Sequence, residues 1–201
     1  MRWTLGRKLG AGFGAALGLA AIAVGVGVVE MVGARDKMKQ ANELTAYAVK
    51  AQQYSDGMRL QRALQAEYVV SPSKETIDAF EASGTEAMQL ADELGKRFAD
   101  DKVVTDALAE AVALDEKHDP LVTGTLFPAV DAGDQATIDA AAATATGYVK
   151  QFVEIAKTVE DEVARLATEK RAQASDALAQ AELLLIILGA LAVVVGLLVA
   201  I

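Results

Sequence analysis

Two stretches in the C-terminal third of the chain decide the fold: YVKQFVEIAKTVEDEVARL (residues 148–166) and LLLIILGALAVVVGLLVAI (residues 183–201). In the first, apolar residues recur at three- and four-residue spacing, which places them on one face of an α-helix. The second has no charged or polar side chain. As a helix it would extend over roughly 28 Å, close to the thickness of the hydrocarbon core of a bilayer. The pattern predicts one long helix that passes from a water-soluble segment into a membrane span.

A second apolar stretch lies near the N-terminus. Leu9–Val32 contains one charged residue, Glu30, and follows a short basic segment, residues 1–8. This stretch is longer than the usual core of about 7–15 residues in a signal peptide, so we predict a retained membrane helix over residues 9–32. The alternative is a signal peptide, with a small-residue cleavage site ending at Ala34. Basic residues are nearly balanced on its two sides, since Arg35, Lys37 and Lys39 follow it. We expect residues 1–8 to stay in the cytoplasm, because this leading segment is short and carries the free N-terminal amine.

The composition favours helices and an acidic soluble segment. Proline (3 residues) and aromatic residues (5%) are scarce, and the net charge is −9. Nearly all of the acidic residues lie between the two apolar stretches. Nucleic acid is therefore an unfavourable partner, because contacts to phosphate need clustered Lys and Arg. With no cysteine in the chain, a disulfide framework is excluded.

Between the apolar stretches, the sequence predicts four helical segments. The first ends near Val70, and Ser71, with Pro72 at the first helical position, predicts the start of the second. Asp100-Asp101 marks the next turn, and Ala132-Gly133-Asp134 ends the third segment and caps the fourth. Pro120 and Pro128 should kink or interrupt the third segment, because proline removes a helical hydrogen bond. The predicted inward residues are Met38, Ala41, Leu44, Ala48, Ala51, Met58 and Leu64, then Ile77, Phe80, Gly84, Ala87, Ala91, Leu94 and Phe98, then Val104, Leu108, Ala111, Leu114 and Leu121, and finally Tyr148, Phe152, Ile155, Val159, Val163 and Leu166.

Short turns between long amphipathic helices make neighbouring helices antiparallel. The predicted fold is thus all-α: an up-down-up-down four-helix bundle over residues 33–182, whose first and fourth helices continue into transmembrane helices at 9–32 and 183–201. We expect the bundle to lie outside the cytoplasm, in the periplasm or outside the cell, as part of a two-pass protein of the bacterial inner membrane.

Small residues recur along both predicted spans. Such spacing allows two membrane helices to approach closely, which favours a packing role. The alternative is that glycine is simply common in membrane helices. The predicted packing residues are Gly10, Gly14, Gly18, Gly189 and Gly196.

The candidate ligand site lies at the distal end of the first helical segment. Arg59 and Arg62 are neighbours on one helix face and have the fork geometry that binds a carboxylate. Tyr54 and Tyr68 flank them, and Tyr148 and Phe152 of the last helix are predicted at a similar height. The alternative is structural: Arg62 would pair with Asp139, and the aromatic residues would pack.

No arrangement typical of catalysis is present, so we predict that the chain is not an enzyme and needs no cofactor. His118 is the only histidine. It clusters with Asp115, Glu116 and Asp119, and such groups can bind a divalent metal. Without a spaced ligand motif, however, a solvated helix face is the favoured interpretation and no metal is predicted.

Two motifs carry a family resemblance. LGRKLGAGFGAALGL (residues 5–19) is similar to the start of bacterial methyl-accepting chemotaxis proteins with a four-helix-bundle sensor domain, and LFPAVDAGDQATIDAA (residues 126–141) resembles the same family less specifically. The resemblance implies a homodimer with ligand sites near the membrane-distal end of the bundle. It also implies that the fourth helix and second span shift to relay occupancy, either by a small carboxylate or through a periplasmic binding protein.

The family pattern continues into a HAMP linker and a cytoplasmic signalling hairpin, whereas this sequence stops at Ile201. We therefore expect either a fragment or a receptor-like chain without its own output. Two alternatives stay open: the input module of a sensor histidine kinase or cyclic-dinucleotide enzyme, and a ligand-free, membrane-anchored structural bundle.

Overall fold

The computed structural model describes the backbone of residues 5–200 and the side-chain surroundings of residues 6, 10, 13, 14, 17, 18 and 20–195. This part of the chain is all-helical and contains no strand, which confirms the predicted all-α class. The helices are α1 (Leu5–Val70), α2 (Lys74–Arg97), α3 (Lys102–Leu121), α4 (Phe127–Ala132) and α5 (Gln135–Ala200), with a π-helical segment at Val122–Leu126 between α3 and α4.

The helix starts follow from local hydrogen bonds. Ser73, not Ser71, caps α2: its side chain accepts a hydrogen bond from the Thr76 N–H at 3.1 Å. The prediction of a cap at Ser71 with Pro72 inside the helix was wrong, because Ser73 is extended and Pro72 precedes the helix. Asp101 caps α3 in the same way, through the Val104 N–H at 3.0 Å.

The turn before α5 is confirmed as predicted. Gly133 has φ 69°, in the left-handed region that glycine adopts without strain. Asp134 then accepts hydrogen bonds from the backbone and the hydroxyl of Thr137, at 3.2 and 2.6 Å. Gly133 thus ends α4, and Asp134 caps the N-terminus of α5.

Prolines shape the third helical segment. Pro120 lies inside α3, and α3 ends one residue later, at Leu121. In the π-helical segment that follows, the Phe127 N–H donates to the carbonyl of Val122, five residues back. Such a bulge rotates the following side chains, because it adds a residue to one turn. Val122, at the start of this segment, is buried, whereas the predicted inward residue Leu121 is only half-buried.

The residues 44–167 form one compact unit. Its larger core cluster takes side chains from α1, α2, α3 and α5, and a second cluster contains Tyr68, Phe80 and Phe127. Most predicted inward positions are buried; Met38, Ala48, Leu64, Ile77, Gly84, Tyr148 and Leu166 are half-buried. Burying a side chain as large as Phe80, which is fully buried, stabilises the fold by about 1.5–3 kcal/mol.

Helices α1 and α2 are antiparallel within this unit. Lys50 forms an ion pair with Glu93, whereas Gly84, nine residues before Glu93, lies against Gln61. Residue numbers therefore rise along α1 as they fall along α2.

The second unit comprises residues 1–43 and 168–201. Inside it, Gly27 lies against Leu185, and a Cβ on Gly27 would overlap with the Leu185 side chain. Alanines at positions 34, 41, 174 and 181 are buried. Most large apolar side chains of this unit are exposed, including Phe13, Ile22, Val29, Ile186 and Val193.

The predicted packing glycines have open surroundings in the single chain. A Cβ on Gly10, Gly14, Gly18 or Gly189 would meet no atom within 4 Å. Gly196 lies outside the residues whose surroundings the structure describes. The close contact inside the chain uses Gly27 instead, so the role of the other glycines in contacts between chains stays a prediction.

Among the described residues, α5 is the one helix that is long and apolar enough to cross a membrane, as judged by length and composition. Its apolar window is almost entirely unburied, unlike the core helix of a water-soluble protein. A membrane span in α5 is thus compatible with the structure.

Candidate functional site

The two predicted ligand-binding arginines are exposed on α1. Arg59 Nη1 donates to Asp56 Oδ1 at 3.0 Å, one turn earlier. The alternative pairing of Arg62 with Asp139 is wrong for the described part of the chain, because Asp139 accepts a hydrogen bond from Gln135 Nε2 at 2.8 Å and forms no ion pair. Ligand contact by Arg59 and Arg62 stays a prediction.

The predicted aromatic residues are distributed between the two core clusters. Tyr54 and Phe152 are buried in the larger cluster, and Tyr148 packs half-buried against it. The Tyr54 hydroxyl has no hydrogen-bond partner among the described atoms. Burial raises its pKa, and the negative charge of Asp115 raises it further.

Tyr68 lies in the other cluster and is satisfied. Its hydroxyl donates to Asp131 Oδ1 at 2.6 Å, and its ring packs on Phe127 with centroids 4.2 Å apart. The hydrogen bond to Asp131, assisted by burial, raises the pKa of Tyr68 to about 12. The structure therefore gives this predicted ligand residue a packing role and an internal partner.

A groove that the sequence did not indicate opens between α1, α2 and α3. Its volume is about 710 Å³, within the range of small-molecule sites, about 300–1,000 Å³. The groove is confined to the unit of residues 44–167. Its lining residues are Gln61, Glu81, Gly84, Thr85, Met88, Gln89, Asp92, Asp115, Asp119 and Thr123.

The lining of this groove is acidic and contains no Lys or Arg. Asp92 is paired with Lys96, one turn further along α2. Glu81, Asp115 and Asp119 form no ion pair within the described part of the chain. Burial raises the pKa of Asp115, and the neighbouring charges of Asp119 and Glu116 raise it further. Glu81 acts electrostatically on Lys74, whereas Asp115 and Asp119 form no ion pair with a Lys or Arg of the described chain.

Gln61 supplies a polar group at the buried side of the groove. Its side chain is 6% exposed, and it has no hydrogen-bond partner among the described residues. The amide Nε2 lies against Gly84, where a Cβ would overlap with it. Glycine at position 84 is therefore required for Gln61 to take this place.

His118 is buried near the groove rather than on a solvated face. It is 1% exposed, and its Nε2 lies 3.1 Å from Gln65 Oε1. Its ring packs on Phe152, with centroids 5.6 Å apart. The solvated-face interpretation was wrong for this residue, because the helical spacing of α3 places it in line with Leu114 and Val122 on the buried side.

No group of three or more His, Asp and Glu side chains in the described residues is arranged to hold a metal ion. His118 cannot join Asp115, Glu116 and Asp119 in one, since Gln65 and aromatic rings surround it. The His118 ring thus lies on the buried side of α3, whereas Glu116 and Asp119 are exposed.

Sequence reasoning missed Gln61 and Gln65, although a signal was present. Both continue the buried stripe of α1, since Met58, Gln61, Gln65 and Tyr68 follow one another at spacings of three and four and all are buried. A polar residue at an inward position usually needs a partner or contacts a ligand. Applied to α1, that rule would have indicated both glutamines.

No protein-family model matches the sequence, and no curated protein or solved structure shows significant similarity to it. The resemblance to chemotaxis receptors therefore depends on the two motifs and on the pattern of helices.

Proposed function

We propose that this chain is the ligand-sensing and transmembrane-signalling portion of a bacterial chemoreceptor. In this proposal, residues 33–182 form an antiparallel, up-down-up-down four-helix bundle outside the cytoplasm. Residues 9–32 and 183–201 are its two spans in the inner membrane, and residues 1–8 lie in the cytoplasm. The functional form is a homodimer.

The observation that carries the proposal is the composition of α5. One helix, Gln135–Ala200, includes buried core residues such as Phe152 and Val163 and then a wholly apolar end, which is unburied over the described residues 183–195. A water-soluble protein rarely exposes so much contiguous apolar surface, whereas lipid would cover it. The same argument supports the first span, because α1 also exposes apolar residues such as Ile22 and Val29.

The mechanism follows from differential binding. A ligand held among α1, α2 and α3 transmits a signal only if it binds one packing of the helices more tightly than another. In the proposal, α5 shares its core contacts with those helices and carries the shift in packing toward its apolar end. The open positions of Gly14 and Gly18 in the first span and of Gly189 in the second provide surfaces on which two copies can rearrange.

The proposed topology is tested by cysteine accessibility, because the chain has no cysteine of its own. We expect Ser71→Cys, which is exposed between α1 and α2, to react with a membrane-impermeant maleimide in intact bacterial cells. The matched control is Trp3→Cys, which should react only after the membrane is permeabilised. Labelling of Trp3→Cys in intact cells, or release of the chain from membranes by alkaline carbonate, would contradict the proposal.

A further inference from the structure

We propose that the groove between α1, α2 and α3 binds an organic polycation, namely an aliphatic amine with two or more ammonium groups. This inference names the ligand class of the proposed sensor and rests on the proposed function for its biological consequence. The binding itself is measurable whether or not the chain signals.

The first argument is the charge of the groove. Glu81, Asp115 and Asp119 converge on it from two helices, without an ion-pair partner in the described part of the chain. Asp115 is half-buried, and the exposed Asp119 lies one turn further along α3. The charge of Asp119 raises the pKa of the Asp115 carboxyl, and this repulsion is relieved by a cation bound beside the two groups. An anionic ligand would add to the repulsion, so the carboxylate class predicted for the arginines does not fit here.

The second argument is independent of charge and concerns Gln61. This side chain is more than nine-tenths buried, lines the groove and lacks a partner in the described structure. An ammonium group has three donors and no acceptor. The Gln61 carbonyl oxygen can accept one of those donors, a hydrogen bond that no described residue of the chain supplies.

The shape of the groove favours an organic cation over a metal ion. Its volume of about 710 Å³ far exceeds that of a single ion, and no set of carboxylates there has the arrangement of a metal site among the described residues. Met88 and Gly84 provide apolar surface beside the carboxylates. Methylene groups between ammonium groups would pack on that surface, as the stems of lysine side chains do.

The test is isothermal titration calorimetry of spermidine into the full chain in detergent micelles, at about 0.15 M salt to screen diffuse charge. We expect saturable binding that Asp115→Asn with Asp119→Asn weakens at least about tenfold, since Asp115 is half-buried and loss of a charge contact from a partly desolvated position has a large effect. The matched control is Glu67→Gln with Asp100→Asn, which removes the same charge from exposed positions outside the groove. We expect the control to keep the affinity within about twofold, as exposed charges contribute little.

A second variant tests Gln61 without changing any charge. Gly84→Ala places a methyl group where the Gln61 amide lies, so binding should weaken while the helix content and melting temperature of the protein are retained. If Gly84→Ala unfolds the chain, Gln61→Leu tests the same amide, and it too should weaken binding.

Three results would overturn the inference: no saturable binding of spermidine, equal weakening in the groove and control variants, or full competition by Mg²⁺ at equal charge concentration. Each of them leaves the cysteine-accessibility pattern unaffected. Failure of this inference is thereby distinguished from failure of the proposed membrane topology.

Discussion

At the scale of single residues, His118 is the most informative side chain. It is buried, and its Nε2 is placed to donate to the Gln65 carbonyl oxygen, while Nδ1 has no partner among the described atoms. Burial lowers the pKa of His118, and the negative charge of Asp119 opposes that shift only in part. The folded chain therefore favours the neutral imidazole.

This environment predicts a loss of stability in mild acid. Because the folded-state pKa lies below the unfolded value of 6.5, the unfolded chain binds a proton first as the pH falls. The contribution of neutral His118 is thus full above pH 6.5 and is lost between 6.5 and the lowered folded pKa. We expect the melting temperature of the full chain in detergent to fall from pH 7.5 to 5.5, as followed by circular dichroism.

The control variant is His118→Gln, which keeps a polar partner for Gln65 but does not titrate. Its melting temperature should change less than that of the original chain over this interval. The carboxyl group of Asp115 has a raised pKa, so its protonation stabilises the fold, which is opposite to the effect of His118. Asp134 and Glu162 have lowered pKa values and therefore titrate in stronger acid. An identical pH dependence in both proteins would contradict the assignment to His118.

At the scale of helices, local chemistry explains where each element begins and ends. Ser73, Asp101 and Asp134 each accept hydrogen bonds at a helix N-terminus. The π-helical segment Val122–Leu126 lies between Pro120 and Pro128, which both lack the N–H that a regular α-helix uses. Val122 and Leu126 of this segment lie in the core cluster of Tyr68, Phe80 and Phe127.

Two glycines of these helices should respond in opposite ways to alanine. Gly133→Ala should destabilise the chain by about 1–2 kcal/mol, because an L-residue is strained at the positive φ of 69°. Gly147→Ala should stabilise it by up to about 1 kcal/mol, because Gly147 lies inside α5, its Cβ would meet open space, and alanine favours helix. Urea denaturation of both variants measures these differences. A loss of stability in Gly147→Ala would show that position 147 is occupied by another copy or segment.

At the scale of the whole molecule, the chain consists of two compact units with different surfaces. The unit of residues 44–167 contains the two core clusters and has mostly polar exposed faces. The unit of residues 1–43 and 168–201 instead exposes large apolar side chains. In the second unit, Gly27 permits a contact with Leu185 inside one chain. At Gly14 and Gly18, in contrast, an added Cβ would meet no described atom within 4 Å.

Leucine substitutions at these glycines should therefore affect either dimerisation or the folding of the single chain, depending on the position. Gly14→Leu with Gly18→Leu should lower the dimer fraction and leave the helix content unchanged, because only a second chain would contact those positions. Gly27→Leu should lower the melting temperature of the chain itself, since the new side chain overlaps with Leu185. Analytical ultracentrifugation in detergent measures the dimer fraction, and Gly33→Leu, at another open position, is the control. A dimer fraction that Gly14→Leu with Gly18→Leu leaves unchanged would contradict the predicted helix packing.

Much of the fold was predictable from the sequence because helix periodicity is a local property. The spacing of Phe80, Ala87, Ala91 and Leu94 determines which face of α2 is apolar, and all four are buried as predicted. The end of α1 at Val70 and the turn at Gly133-Asp134 follow equally from residues near in sequence. The sequence by itself therefore determined the helical class, most helix boundaries and the buried faces.

The tertiary structure decided which distant residues meet. Gln61 meets Gly84, His118 meets Gln65, and Tyr68 meets Asp131, and none of these pairs is close in sequence. The groove likewise forms only where α1, α2 and α3 come together, so no local pattern reveals that carboxylates of α2 and α3 share it. The physical reason is that a residue's periodic position sets the face on which it lies, whereas its partners depend on the register between helices.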